Sequence, residues 1–166
     1  MKIDAVQQCF REINQPTWVA SVRLGTSKLP ESATASNPYQ LPKDYPAPRE
    51  VLRQHFPRTA KQCNFSGGWG YDANHATIIK EFDPEINPDD KFDGVSLEYA
   101  FIDKRIREEL IFSPTACRAF DRLSWQVIEQ SLHERGGIHY DRLLVEVTVN
   151  DEAFQTEYWF NISDFY

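Results

Sequence analysis

No stretch of this 166-residue sequence stays apolar for the roughly 20 residues that a helix needs to cross a bilayer. The opening Met1-Lys2-Ile3-Asp4 leads into no hydrophobic segment either, so no signal peptide and no membrane anchor are expected, and a cytoplasmic location is. Cysteine is scarce and scattered. Cys9, Cys63 and Cys117 are odd in number and form neither a CxxC pair nor a Cys/His zinc spacing, so they read as three reduced thiols. His55, His133 and His139 share no metal-ligand spacing. A G-x-x-x-x-G-K-[ST] phosphate loop and a G-x-S-x-G nucleophile turn are both missing. Neither a metal nor a cofactor is expected.

What the chain does have is aromatic bulk and a lopsided charge. Four Trp, seven Tyr and eleven Phe supply large packing units, and a chain of this length buries enough surface to fold as one domain, 1–166, without staples. Residues 1–71 carry a net +4 and residues 72–166 a net −11, which together give −7. An acidic protein repels phosphate backbones, so direct nucleic-acid binding is not expected. An acidic face suits a basic protein partner.

Apolar spacing at Ile3, Val6, Phe10 and Ile13 predicts a short helix over 3–14, and alternation from Trp18 to Leu24 predicts a strand over 17–24. Five prolines make 26–48 a long loop, with Tyr39, Leu41 and Tyr45 as its anchors to the body. Pro48 and Pro57 bracket a short helix over 49–56. Residues 81–94 form an acidic loop. Asp83, Glu85, Asn87 and Asp89 alternate as in a calcium loop, but Pro88 holds the pivot glycine's place and Gly94 that of the twelfth-position glutamate. Val95, Leu97, Tyr99 and Phe101 alternate as a strand, after which Asp103 caps a helix over 104–112 or the same residues continue as an edge strand. Residues 121–132 alternate at Leu123, Trp125 and Val127 like a strand and step at Trp125, Ile128 and Leu132 like a helix; the turn Glu134-Arg135-Gly136-Gly137 before a strand at 140–149 favours the strand, and 154–162 is a further strand. Trp125 and Trp159 fall in these strands and are expected to be buried. With no β–helix–β alternation, the fold class is α+β: a single domain with a mainly antiparallel sheet of five or six strands and two or three short helices.

Three of the seven glycines crowd into Gly67, Gly68 and Gly70, in a stretch that runs on through Trp69, Tyr71, Asp72, Asn74 and His75 into a strand. At least one of these glycines is expected at positive φ. The match of 68–73 to G-x-G-x-x-A fails because a strand, not a helix, follows. Trp69 and Tyr71 are candidate partner-binding anchors, together with Asp83, Glu85, Asp89, Asp90 and Asp93 of the acidic loop. Asp72, His75 and Glu98 are an alternative catalytic set, with His75 as general base and the carboxylates orienting it.

In size, charge and lack of catalytic motifs the chain is similar in type to small acidic bacterial or phage accessory proteins, including immunity and anti-defence inhibitors. No motif carries that likeness. The expected function is that of a non-enzymatic interaction protein which binds and inhibits or neutralises a basic protein. The alternative is a small hydrolase or transferase using Asp72, His75 and Glu98.

Overall fold

The computed structural model describes residues 36–55, 57, 65–80, 94–116 and 120–166, all within the unit Ser32–Tyr166. Along them run α1 (Pro48–His55), β1 (Phe65–Gly67), β2 (Thr77–Ile79), α2 (Gly94–Phe112), β3 (Leu123–Arg135), β4 (Ile138–Val149) and β5 (Glu152–Asn161). Short 3-10 turns occupy Ala73–His75 and Ser163–Phe165. The helix expected at 3–14, the strand at 17–24, the start of the proline-rich loop, the acidic loop up to residue 93 and all three cysteines lie outside the described residues.

The five strands form one sheet in the order β1-β2-β5-β4-β3. Gly136 and Gly137, at φ +60° and +77°, make the two-residue turn between β3 and β4, a conformation whose twist matches the strands it joins. A second tight turn at Asn150-Asp151 joins β4 to β5, with Asn150 at φ +55°. These three strands are antiparallel as expected. The sheet as a whole is mixed, however, because β2 pairs parallel with β5, with Thr77 opposite Phe160. The reason is connectivity: the chain leaves β2, passes through α2, and returns by the β3–β4–β5 meander with β5 running the same way as β2.

One face of the sheet carries Leu143, Val145 and Val147 of β4 and Phe154, Tyr158 and Phe160 of β5, all buried. Helix α2 covers this face. Phe101 meets Phe160 edge-on at 5.6 Å and Phe65 at 5.3 Å. Ile102, Ile106 and Leu110 are buried one helical turn apart. Each such side chain contributes about 2 kcal/mol by leaving water. The expected strand over 95–102 and the cap at Asp103 are therefore corrected. Gly94–Phe112 is one continuous helix, and Asp103 sits inside it, paired with Arg107 at 2.7 Å. The helix buries Glu98, Lys104, Arg105, Glu108 and Glu109 as well as apolar residues, which hides its period from a reading of hydrophobicity.

Tyr39, Leu41 and Tyr45 do anchor the end of the proline-rich loop: Tyr39 packs on Phe154 at 5.6 Å, Leu41 is buried, and Tyr45 packs on Trp69 at 5.9 Å. Trp159 is buried as expected. Trp125 is only half-buried, on a β3 that is an edge strand among the described residues. It stacks on Tyr99 at 5.7 Å and donates its indole N–H to Asp103 at 3.4 Å.

Candidate functional site

The glycine-rich loop is a clamp between β1 and β2. Gly68 N–H donates to Ala76 O, Gly70 N–H donates to His75 O, and Gly70 O accepts from Trp159 N–H, so the loop is sewn onto the central strand. Gly70 sits at φ +74°, and a Cβ there would lie 3.0 Å from Trp159 O, which accounts for glycine on both counts. Trp69 retains 7% of its exposure; its indole N–H donates to Pro46 O at 2.9 Å and its ring lies 5.9 Å from Phe101.

Tyr71 is half-buried at the rim of a polar network under α2. Its hydroxyl donates to Glu109 Oε1 at 2.6 Å and accepts from Leu41 N–H at 2.9 Å. Arg105 is fully buried, with Nε on the same Glu109 oxygen at 2.9 Å and its terminal nitrogens on Trp69 O, Gly70 O, Glu157 O and Thr156 Oγ1. Its guanidinium lies 3.9 Å from the centre of the Tyr71 ring and 4.1 Å from that of Tyr158. Asn37 donates to the other Glu109 oxygen at 2.9 Å. Burial and the Glu109 charge push the Tyr71 phenol far up, so it stays a donor. The network fixes where the loop stands.

Asp72 and His75 do meet. Asp72 caps the 3-10 turn by accepting from Asn74 N–H and His75 N–H, and His75 Nδ1 lies 2.9 Å from Asp72 Oδ2. Both side chains are largely solvent-exposed, at 71% for His75 and 53% for Asp72. The His75 hydrogen bond holds the Asp72 carboxyl below its usual range. Glu98 does not join them. It is buried on the inner side of α2, and its acidic neighbour is Asp141. Asp141 stands opposite Phe160 on the helix-covered face, whereas Ala73 and Ala76 cluster with Tyr140 and Trp159. Strand alternation puts Trp159 and Phe160 on opposite faces, so the sheet separates Glu98 from the Asp72–His75 pair.

Glu98 is an unusual group. Its Oε2 is buried and has no hydrogen-bond partner among the described residues. Burial first, and Asp141 second, push its carboxyl up to about 8. Asp141 is raised by burial too, although Gln130 donates to it at 2.5 Å. Among the described residues no group of three or more His, Cys, Asp or Glu is placed to hold a metal ion. No helix among them is long and apolar enough to cross a membrane.

The described part of the C-terminal region keeps its acidic excess on the surface. Its cations are largely used internally: Lys104 pairs with Glu108, Arg105 with Glu109 and Arg107 with Asp103, while Arg142 bridges Glu129 at 3.0 Å and Glu157 at 2.5 Å. From Gly94 onward the exposed carboxylates are Asp121, Glu129, Glu134, Asp151, Glu152 and Asp164, against exposed Arg122 and Arg135. Three of these acids gather at one end of the sheet, together with Arg122, whose guanidinium lies 3.8 Å from Asp151 Oδ1. Asn150 Oδ1 accepts from the Asp121 and Arg122 backbone N–H groups, which brings Asp121 to the Asn150-Asp151 turn. There Tyr39, Val149, Asn150, Asp151 and Glu152 line a cleft of about 270 Å³. Sequence reasoning missed this cleft. The available signal was Asn150-Asp151 between two alternating segments, a two-residue turn with an acid on its far side.

The acidic-loop candidates Asp83, Glu85, Asp89, Asp90 and Asp93 lie outside the described residues. No protein-family model, no curated protein and no solved structure matches the chain.

Proposed function

We propose that this chain is a non-enzymatic interaction protein that docks on a basic protein and neutralises it, as an immunity-like or anti-defence-like inhibitor does. The observation that supports this most is the internal use of its cations, which leaves carboxylates as the dominant exposed charge from Gly94 onward. The cleft at the Asn150-Asp151 turn suits the entry of an Arg or Lys side chain: Asp151 and Glu152 supply the charge and Tyr39 an aromatic wall. Asp83, Glu85, Asp89, Asp90 and Asp93 add five negative charges to the chain in this reading. Trp69 and Tyr71 serve it by holding the loop in place, given their hydrogen bonds to Pro46 and Glu109.

The test is affinity capture followed by binding kinetics on the captured protein. The expected partner is basic, and its association slows as salt rises from about 50 to about 500 mM, because the Debye length shrinks. Asp121→Lys, Asp151→Lys and Glu152→Lys together should lower the on-rate at least about tenfold while thermal melting is preserved. A neutral or acidic partner, or an on-rate that ignores both salt and charge reversal, would overturn the reading.

A further inference from the structure

β3 is the edge strand of the sheet among the described residues, and it is thirteen residues long. Its sequence, LSWQVIEQSLHER, contains no proline or lysine, two of the residues that commonly blunt an edge. One bulge between Val127 and Glu129 interrupts it, so Glu129–Arg135 forms a regular pairing-competent segment up to the hairpin turn. At the middle of that segment stands Leu132, 56% exposed.

We propose that a second copy of this chain occupies this edge, pairing β3 antiparallel to β3 about a two-fold axis at Leu132 and joining the five described strands of each copy into one continuous sheet. The register follows from three independent features. First, Arg135 and Ile138 close a two-residue hairpin, so they exchange backbone hydrogen bonds, and by alternation Arg135, His133, Ser131 and Glu129 bond toward β4. The N–H and C=O groups of Gln130, Leu132 and Glu134 therefore point outward. A two-fold axis at Leu132 matches them: Leu132 pairs with its own copy and Gln130 with Glu134 of the copy, each as a hydrogen-bonded pair. Second, the same register sets Glu129 opposite Arg135 of the copy, twice, on the open face of the sheet, and Ser131 opposite His133. Arg135 now lies over Trp159 at 5.0 Å and turns to the new neighbour, while Glu129 keeps Arg142 behind it. Third, the competing registers that use outward-pointing groups fail. An axis at Glu134 puts two glutamates face to face, axes at Gln130 and Ser131 drive the bulge into the ladder, and one at His133 sets Leu132 against Glu134 twice and loses the Glu129–Arg135 pairs.

The exposed Leu132 then meets Leu132 of the copy on the helix-covered face, which gives an apolar side chain on an acidic strand a use. The acidic clefts lie at the Leu123 end of each β3, clear of the pairing, so this inference does not depend on the proposed partner. A single strand edge is a small interface, so the dimer is weak and concentration-dependent.

Sedimentation velocity on the full chain over a concentration series tests it. The wild type should shift from monomer to dimer, and Leu132→Glu should stay monomeric. Arg135→Glu makes two Glu–Glu contacts and Glu129→Arg makes two Arg–Arg contacts, so each alone should weaken the dimer about tenfold or more. An equimolar mixture of these two variants restores both pairs of opposite charge and should recover the dimer. Recovery on mixing cannot come from misfolding of either variant, and wild-type circular dichroism of each one checks the fold. A monomeric wild type at every concentration, unimpaired single variants, or a mixture that stays monomeric would each overturn the proposal.

Discussion

Two polar clusters lie under the same helix and are built in opposite ways. Glu109 and Glu98 stand eleven positions apart, three turns, on the buried side of α2. At Glu109 both oxygens are answered, by Arg105, Tyr71 and Asn37. At Glu98 one oxygen is buried without a partner among the described residues, and the neighbouring charge is the carboxyl of Asp141. The difference shows that burial alone does not decide whether a carboxylate strengthens a fold. A fully satisfied network fixes geometry, and a half-satisfied one stores a cost that pH can release.

The largest expected effect comes from breaking the satisfied cluster. Arg105→Met leaves Glu109 charged and buried, and strips donors from four further oxygens. It should cost about 3–5 kcal/mol in urea denaturation, and Glu109→Leu on top of it should return part of that loss. A loss under about 1 kcal/mol would mean that water replaces the guanidinium.

Glu98→Gln should act with the opposite sign. The folded state holds the Glu98 proton up to about 8, against an ordinary value of 4.5, so the folded form binds that proton more tightly than the unfolded chain does. Its contribution is fully present below pH 4.5 and is lost as pH rises from 4.5 to about 8. One unit is worth about 1.4 kcal/mol, so the loss is bounded at roughly 5 kcal/mol. Glutamine must still be buried, so the variant should gain about 2 kcal/mol at pH 8 and nothing at pH 4. Asp141, also raised, keeps some slope in the variant. Urea midpoints that fall equally with pH in both proteins would show that Glu98 is hydrated.

Tyr71→Phe sharpens the comparison with the smallest change. It removes one hydroxyl that serves both Glu109 and Leu41, and should cost about 1–2 kcal/mol without altering the strand content seen by circular dichroism.

The last two strands of the meander were legible because their residues obey one rule at a time, whereas 121–132 fitted both a strand and a helix and only the glycine turn decided for the hairpin. Phe154, Thr156, Tyr158 and Phe160 alternate inward, and Gly136-Gly137 breaks the pattern where the chain reverses. Helix α2 was not, because Val95, Leu97, Tyr99 and Phe101 alternate by accident while the true buried stripe includes Glu98, Arg105 and Glu109. Periodicity records hydrophobic burial, and this stripe is partly ionic. The Asp72–His75 pair was readable because its members stand only three positions apart. The separation of Glu98 from it was not, because strand β5 decides it from more than sixty positions away. The Asn150 cleft needs Tyr39, whose distance in sequence from Asp151 no local pattern encodes.

The strand order carries a consequence for how the chain folds. β5 is the last of the described strands along the chain, yet it is the middle strand of the sheet. β3, β4 and β5 join through two-residue turns and close contacts of short range. The β1–β2 clamp must wait for Phe160, some eighty positions beyond Thr77, before its outer edge is bonded. Closing a loop of that size costs several kcal/mol of chain entropy before any contact repays it. The meander is thus expected to form first, with docking of the glycine clamp onto β5 as the late, slow step. Substitutions at Val145 should slow refolding, and those at Gly70 should mainly speed unfolding.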